Sequence, residues 1–210
     1  MTVNARLEGG GRTITLTAPG LTGFRGGFAA RVVIGGITNV LSSASGTLVG
    51  VNFYKAETTP YGQANVSLST IRLEKEQIEL LFRLDQIPGV PVVMLQAGIR
   101  NFGNRPVSLI SVALLAMDEP GGFVAAGNPS EWLVTGLNNK TPILSSLSDV
   151  RDPLDIFEYG GLYRHDGVGF LFGPVGTPVA YVSAGITSRG GPDADRLQGR
   201  RVVETPGAGA

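Results

Sequence analysis

Apolar and polar residues alternate along much of this chain with a period of two, and the helical spacing of three and four is nearly absent. A period of two places successive side chains on opposite faces of an extended strand. Thr13–Thr17 reads T-I-T-L-T and sets Ile14 and Leu16 on one face. Leu48–Tyr54 puts Val49, Val51 and Phe53 on one side, with Gly50 and Asn52 on the other. In Asn65–Leu73, Val66 and Leu68 alternate with Ser67 and Ser69, then the phase shifts near Thr70, as at a bulge. Ile78–Asp85 directs Ile78, Leu80, Phe82 and Leu84 inward and Glu79, Arg83 and Asp85 outward, with Leu81 the exception. Leu73–Leu84 is also rich in helix formers. Its apolar spacing nevertheless predicts strands on either side of a charged Glu74–Gln77 turn.

Turn residues punctuate these runs. Asn101-Phe-Gly-Asn-Arg-Pro106 lies between Val92–Arg100 and Val107–Met117 and predicts a hairpin. His165-Asp-Gly167, between Gly161–Arg164 and Val168–Phe172, predicts a second, because Asp-Gly readily adopts the positive φ angles of tight turns. A further strand is expected at Pro178–Ala184. Strands at spacings of about 8–12 residues, with no fixed repeat, predict an all-β fold: a large two-sheet antiparallel β-sandwich over residues 1–186. Residues 187–210 are polar, rich in Gly, Pro and Arg, and end in Pro206-Gly-Ala-Gly-Ala. They read as a disordered tail, or as residues extraneous to a β-domain cut short.

Composition narrows the chemistry. The chain has no cysteine, which removes disulfides, thiolate metal sites and cysteine nucleophiles. Its 17 basic and 17 acidic residues balance, so no footprint for nucleic acid or an anionic membrane surface is expected. No apolar run approaches the roughly 20 residues of a membrane-spanning helix. The N-terminus lacks the pattern of a signal peptide, so a cytoplasmic location is expected if Met1 is the true start.

The single histidine, His165, falls in a predicted turn without a nucleophile or second ligand nearby in sequence, and reads as a solvated turn residue. The densest carboxylate group, Asp149, Asp152, Asp155 and Glu158, matches no calcium-loop spacing. It reads as a solvated or salt-bridged loop rather than a glycosidase acid pair. Gly9–Gly11 and Gly20–Gly26 do not open helices and read as turns, not phosphate cradles. No cofactor or metal and no catalytic residue is expected. The one segment with a carbohydrate-binding character is Trp132 with Asn138, Asn139 and Lys140, an indole face beside amides and an ammonium group that can read hydroxyls. The competing reading makes Trp132 a core residue.

Leu95–Leu115, with its Asn101–Pro106 turn, is followed by Glu131-Trp-Leu-Val-Thr-Gly-Leu137, Phe157-Glu-Tyr-Gly-Gly-Leu-Tyr-Arg164 and Gly167-Val-Gly-Phe-Leu-Phe-Gly173. This order, over roughly residues 45–185, resembles the N-terminal β-supersandwich of the α-galactosidase and raffinose-synthase (melibiase-like) glycoside hydrolases, a galactose-mutarotase-like fold. The resemblance implies a non-catalytic module that packs on a (β/α)-barrel carrying both catalytic aspartates and lends a loop to the sugar cleft. The chain ends before such a barrel could begin, so a weak, galactoside-like carbohydrate is the expected ligand and no hydrolysis by the chain alone is expected. The family's glycine-tryptophan-glutamine-serine-tryptophan-serine signature is replaced at the matching place by Gly136-Leu-Asn-Asn-Lys-Thr141. Other expectations are a stand-alone carbohydrate-binding or structural β-sandwich, and a small enzyme using Asp149–Glu158.

Overall fold

The computed structural model describes residues 3–19, 21–116, 123–125, 128–138, 141–150, 154–174, 181–188 and 196–204. Its strands are β1 (Asn4–Glu8), β2 (Thr13–Ala18), β3 (Leu21–Ile34), β4 (Ile37–Ser42), β5 (Thr47–Thr59), β6 (Gly62–Leu73), β7 (Ile78–Gln86) and β8 (Val93–Asn101). They continue with β9 (Val107–Ala116), β10 (Phe123–Ala125), β11 (Trp132–Asn138), β12 (Thr141–Ser146), β13 (Leu154–Arg164), β14 (Gly169–Phe172), β15 (Tyr181–Ser188) and β16 (Arg196–Glu204). The only helical elements among the described residues are short 3-10 turns at Pro129–Glu131 and Leu147–Asp149. None is long and apolar enough to cross a membrane.

Every pairing among the described residues is antiparallel. The result is an all-β sandwich of a 12-stranded sheet and a four-stranded sheet in the order β5-β6-β7-β8. The long β3 is the spine of the larger sheet. Its first half pairs with β2 and β10, and its second half with β4 and β9. Ser43 helps join β2 and β4 along that spine: its hydroxyl accepts from the Phe28 amide at 2.9 Å and donates to the Arg12 carbonyl at 2.7 Å.

Two apolar cores follow from the alternation. The first packs Ile14, Phe28, Val32 and Leu41 of the large sheet against Ile71, Ile78, Leu80 and Phe82 of the small one. The second gathers Trp132, Val134, Leu147, Val150, Ile156 and Leu162 around β11, β13 and the Leu147–Asp149 turn. Burying such side chains stabilises the sandwich by about 1.5–3 kcal/mol each.

The strand–turn–strand reading of Leu73–Leu84 holds, with β6 and β7 in continuous register from Asn65↔Gln86 to Leu73↔Ile78. The Gly161–Phe172 hairpin holds as β13–β14. Other expectations are corrected. β8 and β9 form no hairpin: β8 pairs with β7, whereas β9 crosses to the large sheet and pairs with β3 and β16. Turn chemistry reverses the chain direction but does not oblige the flanking strands to pair with each other. Within the expected tail, residues 187–210, the structure places a strand. This strand, β16, pairs with β15, β9 and β10, so backbone hydrogen bonding places it in the sheet. Residues 189–195 and 205–210 of that tail lie outside the described residues.

Glu79 and Asp85 do occupy the outer face of the small sheet, but neither is exposed. Glu79 stands directly between Arg72 on β6 and Arg100 on β8. Its carboxylate accepts from Arg72 Nε at 2.9 Å and from Arg100 Nε at 2.6 Å. The Arg72 hydrogen bond, then that of Arg100, holds the Glu79 carboxyl below the usual carboxylate range against the opposing effect of burial. Asp85 is covered in the same way by Arg83, whose Nε donates to it at 2.7 Å.

Candidate functional site

The segment marked in the sequence for carbohydrate, Trp132 with Asn138, Asn139 and Lys140, begins on β11, where Trp132 takes its competing place as a core residue. Trp132 is 0% exposed and belongs to the second core. The Arg164 guanidinium, directly across the strand pair, lies 5.5 Å from the indole centre. Trp132 therefore offers no open face for a sugar ring. The reason is strand parity: Trp132 and Val134 point inward, while Leu133 and Leu137 point outward. Asn138 is half-buried at the end of β11, where it pairs with Thr141. Asn139 and Lys140 lie outside the described residues.

The opposite face of the same strands is open and apolar. Register aligns Leu133 with Ser146 and Tyr163, and Thr135 with Leu144 and Gly161. Gly161 in turn faces Leu171, and Tyr163 faces Gly169. Across β12, β11, β13 and β14 this brings Leu133, Leu144, Tyr163 and Leu171 onto one solvent-facing surface, with Leu144 and Leu171 each 72% exposed. Leu137 and Tyr159 extend it. Contiguous apolar surface of this kind is characteristic of a binding face rather than of isolated exposed residues.

Glycines shape this surface. A Cβ on Gly161 would lie 2.8 Å from Tyr163 Cε2, and one on Gly169 would lie 2.7 Å from Tyr163 Cδ1. The Tyr163 ring therefore occupies space beside two positions that have no side chain. Tyr159 covers Gly173 in the same manner. Both tyrosines keep an outer face in solvent, Tyr159 at 57% exposure. Exposed aromatic rings on a sheet suit the C–H face of a sugar or the apolar surface of a packed domain. Sequence reasoning passed over these residues. Their signal is a tyrosine on one strand opposite a glycine on the next, as in Tyr159-Gly-Gly-Leu-Tyr163 facing Gly169-Phe-Leu-Phe-Gly173.

The remaining candidates are structural or lie outside view. His165 is exposed in the β13–β14 turn. Its neighbour Asp166 clamps Arg164 through Nε at 2.9 Å and accepts from the Val168 amide at 3.2 Å. The Arg164 hydrogen bond is the main cause that lowers the Asp166 carboxyl to about 2. Asp149 is exposed, with the Ser148 hydroxyl donating to it at 3.4 Å. Arg151 and Asp152 are outside the described residues, and Asp155 and Glu158 lie within β13. Among the described residues no three acidic or histidine side chains come together as a metal site. No protein-family model matches the chain, and no curated protein sequence matches it.

Proposed function

We propose that this chain is a β-sandwich module of an α-galactosidase-like glycoside hydrolase, one that packs on a catalytic barrel and helps to shape its sugar cleft. The observation that carries the reading is the apolar outer face of β12, β11, β13 and β14, with Tyr159 and Tyr163 exposed beside glycines. Interfaces between domains of one enzyme bury about 600–1,500 Å² and tolerate polar edges. The resemblance of roughly residues 45–185 to the hydrolase supersandwich supplies the identity of the partner. In this reading the module orders one wall of the cleft, and the barrel supplies the catalytic carboxylates.

The test begins with the coding sequence adjoining this gene. A barrel-coding segment there is co-expressed with the chain, and association is measured with Leu171→Asp and Tyr159→Asp variants. Stable association that both variants abolish supports the reading; the lack of any barrel-coding segment overturns it. A stand-alone carbohydrate-binding protein is the second reading, and the open faces of the two tyrosines favour it specifically. Sugar binding at Tyr159 and Tyr163 with no barrel partner selects that alternative.

A further inference from the structure

β5 ends the small sheet and, among the described residues, pairs with β6 alone. An unpaired strand edge is a template for another strand, and proteins usually blunt it with charge, proline or a bulge. In β5 those devices cluster after Tyr54. Lys55 and Glu57 carry charge there, and the bulge between Tyr54 and Glu57 includes Ala56 at φ 52°. A second bulge lies between Leu48 and Gly50. Between the two, Gly50-Val-Asn-Phe-Tyr54 is uncharged and in unbroken register with Thr70–Val66. Val51 and Phe53 share one face of this stretch and are 45% and 58% exposed.

We propose that this edge joins two copies of the chain, each β5 pairing antiparallel with the other about a two-fold axis at Asn52. The segment is self-complementary in that register. Val51 faces Phe53 of the second copy, Phe53 faces its Val51, and the two Asn52 amides meet at the axis. On the same face as Asn52, each Tyr54 lies across from Gly50 of the other copy, where the absence of a Cβ leaves open space. Such β-branched–aromatic pairs are favourable cross-strand contacts, and tyrosine fills the gap over a strand glycine. An isologous contact needs this reciprocity. A register centred on Val51 would run Phe53 into the Leu48/Gly50 bulge. One centred on Phe53 would set Lys55 against Val51. The formal net charge of zero also spares two identical chains long-range repulsion.

Analytical ultracentrifugation from about 1 to 200 μM is the test, since a short edge contact gives micromolar rather than nanomolar association. The wild-type chain is expected to shift from monomer to dimer across that range. Phe53→Lys alone and Val51→Glu alone are expected to weaken dimerisation at least about tenfold, a loss of about 1.4 kcal/mol or more. The double variant is expected to restore it in a salt-sensitive way, because each introduced ammonium then faces an introduced carboxylate across the axis. Far-UV circular dichroism confirms that each variant keeps its β-structure, which is expected at exposed positions. A chain that stays monomeric at the highest concentration, a dimer indifferent to Phe53→Lys, or a double variant that fails to recover would each overturn the proposal.

Discussion

Truncating Trp132 to alanine tests its place in the second core most sharply. The indole is fully buried among Val134, Leu147, Val150, Ile156 and Leu162. Removing a core tryptophan costs about 3–5 kcal/mol, including the cavity it leaves. The Arg164 guanidinium 5.5 Å from the ring adds about 0.5–2 kcal/mol of cation–π attraction. Arg164 keeps its bond to Asp166 in the variant, so no stranded charge enlarges the loss. The expected destabilisation is therefore about 3.5–7 kcal/mol, comparable with the whole stability of many domains, about 5–15 kcal/mol. Urea unfolding followed by far-UV circular dichroism measures it. The wild-type indole should also emit at short wavelength and resist acrylamide quenching. A loss below about 1 kcal/mol, or a readily quenched indole, would refute its place in a packed core.

Three further outcomes follow from the polar clusters and one close approach. Glu79→Gln should cost about 1–3 kcal/mol by urea unfolding at neutral pH, at the lower end because Arg72 and Arg100 are themselves 37% and 59% exposed and rehydrate. Since the folded Glu79 carboxyl is depressed, its contribution is present above the unfolded value and fades as pH falls through the folded one, so the gap between wild type and variant should narrow in acid. The Asp166 carboxyl should titrate by NMR at about 2 and return toward the ordinary range in Arg164→Gln. Gly136→Ala sets a Cβ 3.2 Å from the Tyr159 carbonyl and against Ile156 and should cost about 1–3 kcal/mol by thermal unfolding.

The all-β class was legible because strands of half-buried sheets must alternate, and β2, β6 and β7 do so plainly. Partnership was less legible. The Asn101–Pro106 turn announces a change of direction, yet the register that matters for β9 is set by β3 and β16, far away in sequence. β16 carries little apolar signal because its place depends on backbone pairing with β15, which any residue except proline can supply. Trp132-Leu-Val-Thr-Gly-Leu137 shows why the sequence left Trp132 open between a sugar face and the core. Both of its alternating sets are apolar, so periodicity identifies a strand without saying which set is the core. The tyrosine face depends on glycines of β13 and β14 meeting across the sheet, a relation that exists only once the hairpin has closed.

The functional face is tested most directly by titrating the chain with galactose, melibiose and xylose while following its tyrosine ring resonances by NMR. If β11–β14 form a wall of a sugar cleft, shifts should gather on Tyr159, Tyr163 and Leu171, with a dissociation constant on the order of millimolar, about −4 kcal/mol, that Tyr159→Ala and Tyr163→Ala together abolish. Trp132 should stay unperturbed. Tyrosine rings unmoved at about 100 mM sugar, or binding that survives the double variant, would contradict the assignment of this face.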